Sequence, residues 1–169
     1  MNLIIKHSVR FLILGLVQIL LLNQLEIGLG IQAMVYPLFI LLLPIDLGTI
    51  PLLIFAFVLG ISIDAISNTF GLHASSLLFF AYCRPLFLKI FSPRDGYENI
   101  KEGDSYQMGF LWFLWVYGGL LTLHHFWFFY MEVFRFDEIL FVLQKTVLSV
   151  PVSFLMAFIL QILLVTKPR

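Results

Sequence analysis

Charged side chains are what this sequence lacks most. Asp, Glu, Lys and Arg make up 12% of its 169 residues, about half of the roughly 25% usual in a soluble globular domain. That is too little charge to cover a water-facing surface, so a soluble fold is excluded. Neither sign is in excess: ten basic residues meet ten acidic ones, and the electrostatic footprint of a nucleic-acid binder is missing. The one cysteine, Cys83, lies within an apolar run, which rules out a disulfide framework. Strict apolar/polar alternation is also missing, which argues against a membrane β-barrel. No glycine-rich phosphate loop occurs.

What is present is hydrocarbon: 61% of the residues are hydrophobic and the mean hydropathy is +1.01. The chain reads as one all-α polytopic membrane bundle over residues 1–169, with no room for a second domain. A helix needs about 20 residues to cross a hydrocarbon core of roughly 30 Å. On that measure six transmembrane helices are predicted, at Val9–Asn23, Glu26–Asp46, Ile50–Ser67, Leu72–Ile90, Gly109–Met131 and Glu138–Val165. Pro37 predicts a kink in the second, and Pro51 sits in the first turn of the third, where its missing N–H costs nothing. The first apolar run follows Lys6, His7 and Arg10 like a signal peptide, but "LLNQLEIG" offers no small-residue cleavage site, so it reads as a retained span.

Basic residues set the orientation. With the N-terminus in the cytoplasm, Lys6, Arg10, Arg84, Lys89, Arg94, Lys101, Lys167 and Arg169 fall on that side, eight of the ten. Only Arg135 and Lys145 fall outside, so the expected topology is N-in/C-in. The one substantial loop, residues 91–107, is then cytoplasmic and reads as a solvated connector, with a docking site for a cytoplasmic partner as the alternative.

No catalytic constellation can be assembled. His124 and His125 are adjacent, about 100° apart on a helix, and no acidic or cysteine ligand follows one turn on. Beside Trp127 and Tyr130 they read as part of an interfacial belt, and neither a metal nor any other cofactor is expected. Arg84 is expected to snorkel to the cytoplasmic interface. Gln18 and Gln161 read as interhelical hydrogen-bond partners.

Two stripes stand out. Ala56, Gly60, Asp64 and Asn68 recur every four residues in the third span, and Ser149, Ser153, Ala157 and Gln161 do so in the sixth. Small residues at that spacing let helices approach closely in lipid. They serve either packing within the bundle or a seam for a partner's helix. On the second reading, Gly60→Leu blocks a partner without disturbing insertion. Asp64 is the outlier, a carboxylate whose burial in lipid costs about 2.5–3.5 kcal/mol even on insertion scales. It either clamps the start of the fourth span after the Gly71 turn, with Asn68, Thr69 or His73 beside it, or meets a partner or ligand. For a clamp, Asp64→Asn is expected to be mild.

The stretch "FVLGISIDAISNTFGLHASSLLFFAY", residues 57–82, resembles the signature of the MreD family of bacterial rod shape-determining membrane proteins. Gly60, Asp64, Gly71, Leu72, Ala74 and, more loosely, Tyr82 carry the match. Chain length, short N-terminus, Pro151 and the basic ending "TKPR" agree in layout. The resemblance implies a six-helix fold similar to the substrate-binding components of energy-coupling-factor transporters. It also implies a non-enzymatic scaffold in the bacterial inner membrane that binds an MreC-like single-span protein. MreB, RodA and a class B penicillin-binding protein are the wider partners in sidewall peptidoglycan synthesis, with membrane lipids around the bundle and a homodimer as a further association. The alternative is a substrate-binding component of a vitamin or metal transporter, for which Asp64, Asn68, His73, His124 and His125 would ring an outward pocket.

Overall fold

A computed structural model of the chain describes residues 3–25, 28, 30–98 and 100–165. Glu26, Lys167 and Arg169, which enter the expectations above, lie outside the described residues. Five long helices form the body: α1 (Leu3–Leu20), α3 (Thr49–Ser67), α4 (Leu72–Ile90), α6 (Phe110–Val133) and α7 (Ile139–Leu164). Two short ones join them, α2 (Pro37–Leu41) and α5 (Ser105–Met108). Among the described residues no strand forms, and Pro44 and Glu102 make an isolated antiparallel bridge. α1 packs on α3, α3 on α4, α4 on α6 and α6 on α7.

One helix, α7, is inside out relative to a soluble protein. On α7 the buried face is Lys145, Thr146, Ser149, Ser153, Ala157 and Gln161, joined by Val142. The outward face is Leu140, Val147, Leu155 and Leu163, all exposed. Water would penalise so large an apolar exterior, whereas lipid does not. Among the described residues three segments are long and apolar enough to cross a membrane: Ile4–Gln24, Thr49–Ser67 and Phe136–Leu164. The chain is a helical membrane protein.

The expected second helix, Glu26–Asp46, does not form as one. Only Pro37–Leu41 is helical, and residues 32–35 cross the interior without helical hydrogen bonds. Proline removes an N–H and disfavours helix in the residue before it, so a helix starts at Pro37 more readily than it runs through it. Bare backbone inside a membrane bundle must find side-chain partners. Gln32 N donates to Ser149 Oγ at 3.1 Å, Met34 N to Ser153 Oγ at 2.9 Å and Val35 N to Gln18 Oε1 at 2.9 Å, while Gln18 Nε2 donates to the Ala33 carbonyl at 3.0 Å. The α7 stripe is therefore filled from within the chain. Ala157 is buried on the same face, and a partner's helix finds no seam there.

At the other end of this segment Arg84 corrects a second expectation. It does not snorkel: it is buried, and its Nη2 donates to the carbonyls of Leu41, Leu43 and Pro44 at 3.2, 2.5 and 3.1 Å. A cation here satisfies carbonyls that the end of α2 leaves open.

The 91–107 loop is a solvated connector only in part. Arg94, Asp95, Glu98 and Lys101 are exposed, but Glu102 and Asp104 are buried. Asp104 caps α5, accepting from Tyr106 N and Gln107 N at 2.9 and 3.0 Å. Glu102 accepts from Lys6 Nζ at 2.7 Å and from Arg10 Nη1 at 2.7 Å, and Arg10 Nη2 reaches the Leu164 carbonyl at 3.4 Å. One carboxylate thus ties the loop to α1, and through Arg10 to the end of α7.

Burial by itself raises the Glu102 pKa, but the hydrogen bonds from Lys6 and Arg10 outweigh it and hold the carboxyl below its usual range. A depressed carboxylate contributes stability that is complete above its unfolded pKa, about 4.3, and is lost as pH falls toward the folded value. The thermal midpoint of the detergent-solubilised protein is therefore expected to drop between about pH 5 and about pH 3. Glu102→Gln should flatten that descent. An unchanged slope in the variant would remove Glu102 as its source.

Candidate functional site

The hairpin between α3 and α4 brings the signature residues together. α3 ends at Asn68, in the left-handed conformation at φ 55°, and α4 starts after Gly71 at φ 91°. Glycine adopts that backbone freely, and asparagine tolerates it better than most residues. The turn sends Asp64 against the first turn of α4, whose N–H groups lack intrahelical acceptors. Asp64 Oδ1 accepts from His73 N at 3.0 Å, and Oδ2 accepts from Ala74 N at 2.8 Å. Thr69 Oγ1 donates to Oδ1 at 2.5 Å, and His73 Nδ1 lies 3.0 Å from the same oxygen. Asp64 is the clamp of this turn, four donors converging on one carboxylate.

Gly60 lies one turn earlier on the same face. A Cβ built there would stand 2.8 Å from Ala74 N, and closer still to Ala74 Cα. The two helix backbones touch at this point, and Ala56 below it is fully buried. The expectation of a seam open to a partner along Ala56 and Gly60 is corrected: α4 already occupies it. Asn68 shares the spacing but not the cluster, since it ends the helix and is exposed.

His124 and His125 are buried as well, not placed in an interfacial belt. His125 Nδ1 lies 2.9 Å from the Leu121 carbonyl, which can only accept, so that nitrogen carries the proton. Its Nε2 then accepts from Ser153 Oγ at 2.9 Å. His124 Nε2 is 2.8 Å from Tyr36 Oη. Both rings brace the non-helical segment from the α6 side. Among the described residues no three of His, Cys, Asp or Glu gather into a metal-holding group.

Beside the Asp64 clamp lies a cavity of about 430 Å³, walled by the ends of α1, α3, α4 and α6 and by Gly28 and residues 30–34. His73 and Thr69 reach it from the clamp, Gln18 and Gln32 from the opposite side, and Glu132 from the end of α6. Of the residues expected around an outward pocket, His73 alone lines this one. Asp64 supports His73 from behind, and the non-helical chain supplies the facing wall. Sequence spacing pointed to Asp64 and His73, but nothing local linked them to Gln32 or Glu132, which arrive from distant parts of the chain. No protein-family model, no curated protein and no solved structure matches the chain.

Proposed function

We propose that the chain is a non-enzymatic, multi-pass scaffold of a bacterial inner membrane, of the MreD type, which holds an MreC-like single-span protein. In this reading it supports MreB, RodA and a class B penicillin-binding protein in sidewall synthesis. One observation supports it above the others. Gly60, Asp64, Gly71 and Ala74, which carry the resemblance, converge on a single helix-to-helix lock. Residues held together in that way preserve a shape, not a reaction. Gln18, Ser149, Ser153 and Arg84 are likewise spent on the backbone of residues 32–35 and 41–44. With both stripes filled internally, the partner's helix docks on the apolar exterior.

The proposed topology is six passes, five helical and one broken, with both termini cytoplasmic. In a chain whose Cys83 is replaced by Ser, new cysteines at Ser92 and Glu98 are expected to react only with reagents that reach the cytoplasm, and one at Phe136 with impermeant reagents in intact spheroplasts. Ser92 or Glu98 labelled from outside would invert the orientation. For the partner, the tagged chain co-expressed with an MreC-like protein should retain it through detergent purification. Recovery of transporter ATPases in its place would favour the energy-coupling-factor alternative.

A further inference from the structure

The cavity beside Asp64 is built as a binding site, and its unspent groups define what enters. Volumes of roughly 300–1,000 Å³ suit small molecules, and this one is about 430 Å³. Much of its polar lining is already used. Gln18 donates to Asn23 Oδ1 and to the Ala33 carbonyl and accepts from Val35, and Asn23 donates in turn to Ser67. Asn23 keeps one amide hydrogen and Ser67 its hydroxyl hydrogen, and His73, Gln32 and Glu132 retain capacity as well.

His73 is the best defined. It is 3% exposed and lines the cavity. Its Nδ1 faces Asp64 Oδ1 at 3.0 Å and Thr69 Oγ1 at 2.9 Å. The Thr69 hydroxyl proton already points at Asp64, so both neighbours of Nδ1 can only accept. Nδ1 must carry the proton, so in the neutral tautomer that this fixes, Nε2 presents a lone pair. That atom has no hydrogen-bond partner among the described residues. Gln32 is fastened through its backbone N–H to Ser149, while its side-chain amide bonds to nothing among the described residues. Glu132 spends Oε2 on Lys145 at 2.7 Å and keeps Oε1.

The charges on these walls favour one ligand type. Both carboxylates are paired, Asp64 with the donors of the clamp and Glu132 with Lys145, which leaves Glu132 Oε1 and His73 Nε2 as open acceptors among the described residues. Lys145 is taken up by Glu132 and by the ring of Phe129, 4.5 Å away. Among the described lining residues, and with His73 neutral, an anionic ligand would meet no unpaired positive group. Leu72, Met34 and the Phe128 ring supply flat apolar wall. We propose that the cavity binds a compact, neutral or singly cationic molecule that carries an N–H donor on a flat apolar body, such as an aromatic amidine, an aromatic amine or an N–H heterocycle. The donor bonds to His73 Nε2, Asp64 fixes the imidazole tautomer that receives it, and the Glu132 carboxylate and Gln32 amide complete the polar contacts. This goes beyond the scaffold reading and holds or fails independently of it.

The test uses the purified full-length chain in detergent, with benzamidine as the probe and benzoate as a control of equal size and opposite charge. Benzamidine is expected to raise the thermal midpoint saturably, and benzoate to leave it unmoved. His73→Phe keeps an aromatic ring and both backbone donors to Asp64 but loses Nε2, and should weaken benzamidine about tenfold or more. Leu72→Trp fills the cavity from its wall and should abolish binding while the protein still melts cooperatively. In ¹⁵N spectra of histidine-labelled protein the His73 Nε2 resonance should shift on adding benzamidine and that of His125 should not. If His73→Phe does not fold, Leu72→Trp and the spectra decide alone. Equal responses to benzamidine and benzoate, binding that survives Leu72→Trp, or a motionless His73 resonance would each overturn the proposal.

Discussion

Gly60→Leu is expected to prevent the bundle from folding, not merely to block an association. Even the first added carbon, Cβ, would lie 2.8 Å from Ala74 N, well inside van der Waals contact, and the rest of the leucine would follow it into α4. Overpacking a well-filled interior costs about 1–3 kcal/mol and sometimes more. Gly60→Ala should fall in that range, with Gly60→Leu beyond it. The obstructing atoms are backbone, so Ala74→Gly is not expected to rescue either variant. That separates this contact from an ordinary side-chain clash. Membrane abundance and the thermal midpoint by size-exclusion chromatography measure the effect. A Gly60→Leu protein that accumulates and melts like the unaltered chain would show that α3 and α4 do not touch here.

Asp64→Leu should be comparably severe. It strands the N–H groups of His73 and Ala74 in the interior, and each unpaired buried donor costs about 1–3 kcal/mol. Thr69 and the His73 ring lose their acceptor as well. The sum is about 2–6 kcal/mol, a large share of what holds a typical domain together, about 5–15 kcal/mol. Asp64→Asn is not expected to be mild, contrary to the reading from sequence. All four neighbours of the carboxylate are positioned as donors. An amide places an NH₂ where one oxygen stood, donor against donor, for about 1–3 kcal/mol. Thermal midpoints in the order Asp, Asn, Leu test this ranking, and Asn equal to Asp would mean that one oxygen suffices.

The hairpin was legible because its determinants are local. Pro51 in a first turn and Gly71 after a tight reversal mark helix boundaries wherever they occur, so the expected Ile50–Ser67 and Leu72–Ile90 agree with α3 and α4. The four-residue stripe of Ala56, Gly60 and Asp64 announced close packing, and the packing is there. Its partner was not legible, because a small-residue face looks the same whether its own chain or another fills it. Once α4 is seen to occupy it, the packing reading of that stripe is the one that remains.

Composition and periodicity by themselves determined that the chain is helical, belongs in a membrane and turns sharply at Gly71, because scarcity of charge and helix punctuation act within a few residues. Tertiary structure alone decided where the buried polar groups go. Ser149 and Ser153 sit more than a hundred residues from the backbone they satisfy, Arg84 about forty from its carbonyls, and Glu102 more than ninety from Lys6 and Arg10. In a low-dielectric interior each such group must find a partner, but the requirement does not say which. That choice depended on the broken second segment, whose open N–H and C=O groups set the demand that serines, glutamine and arginine on other helices meet.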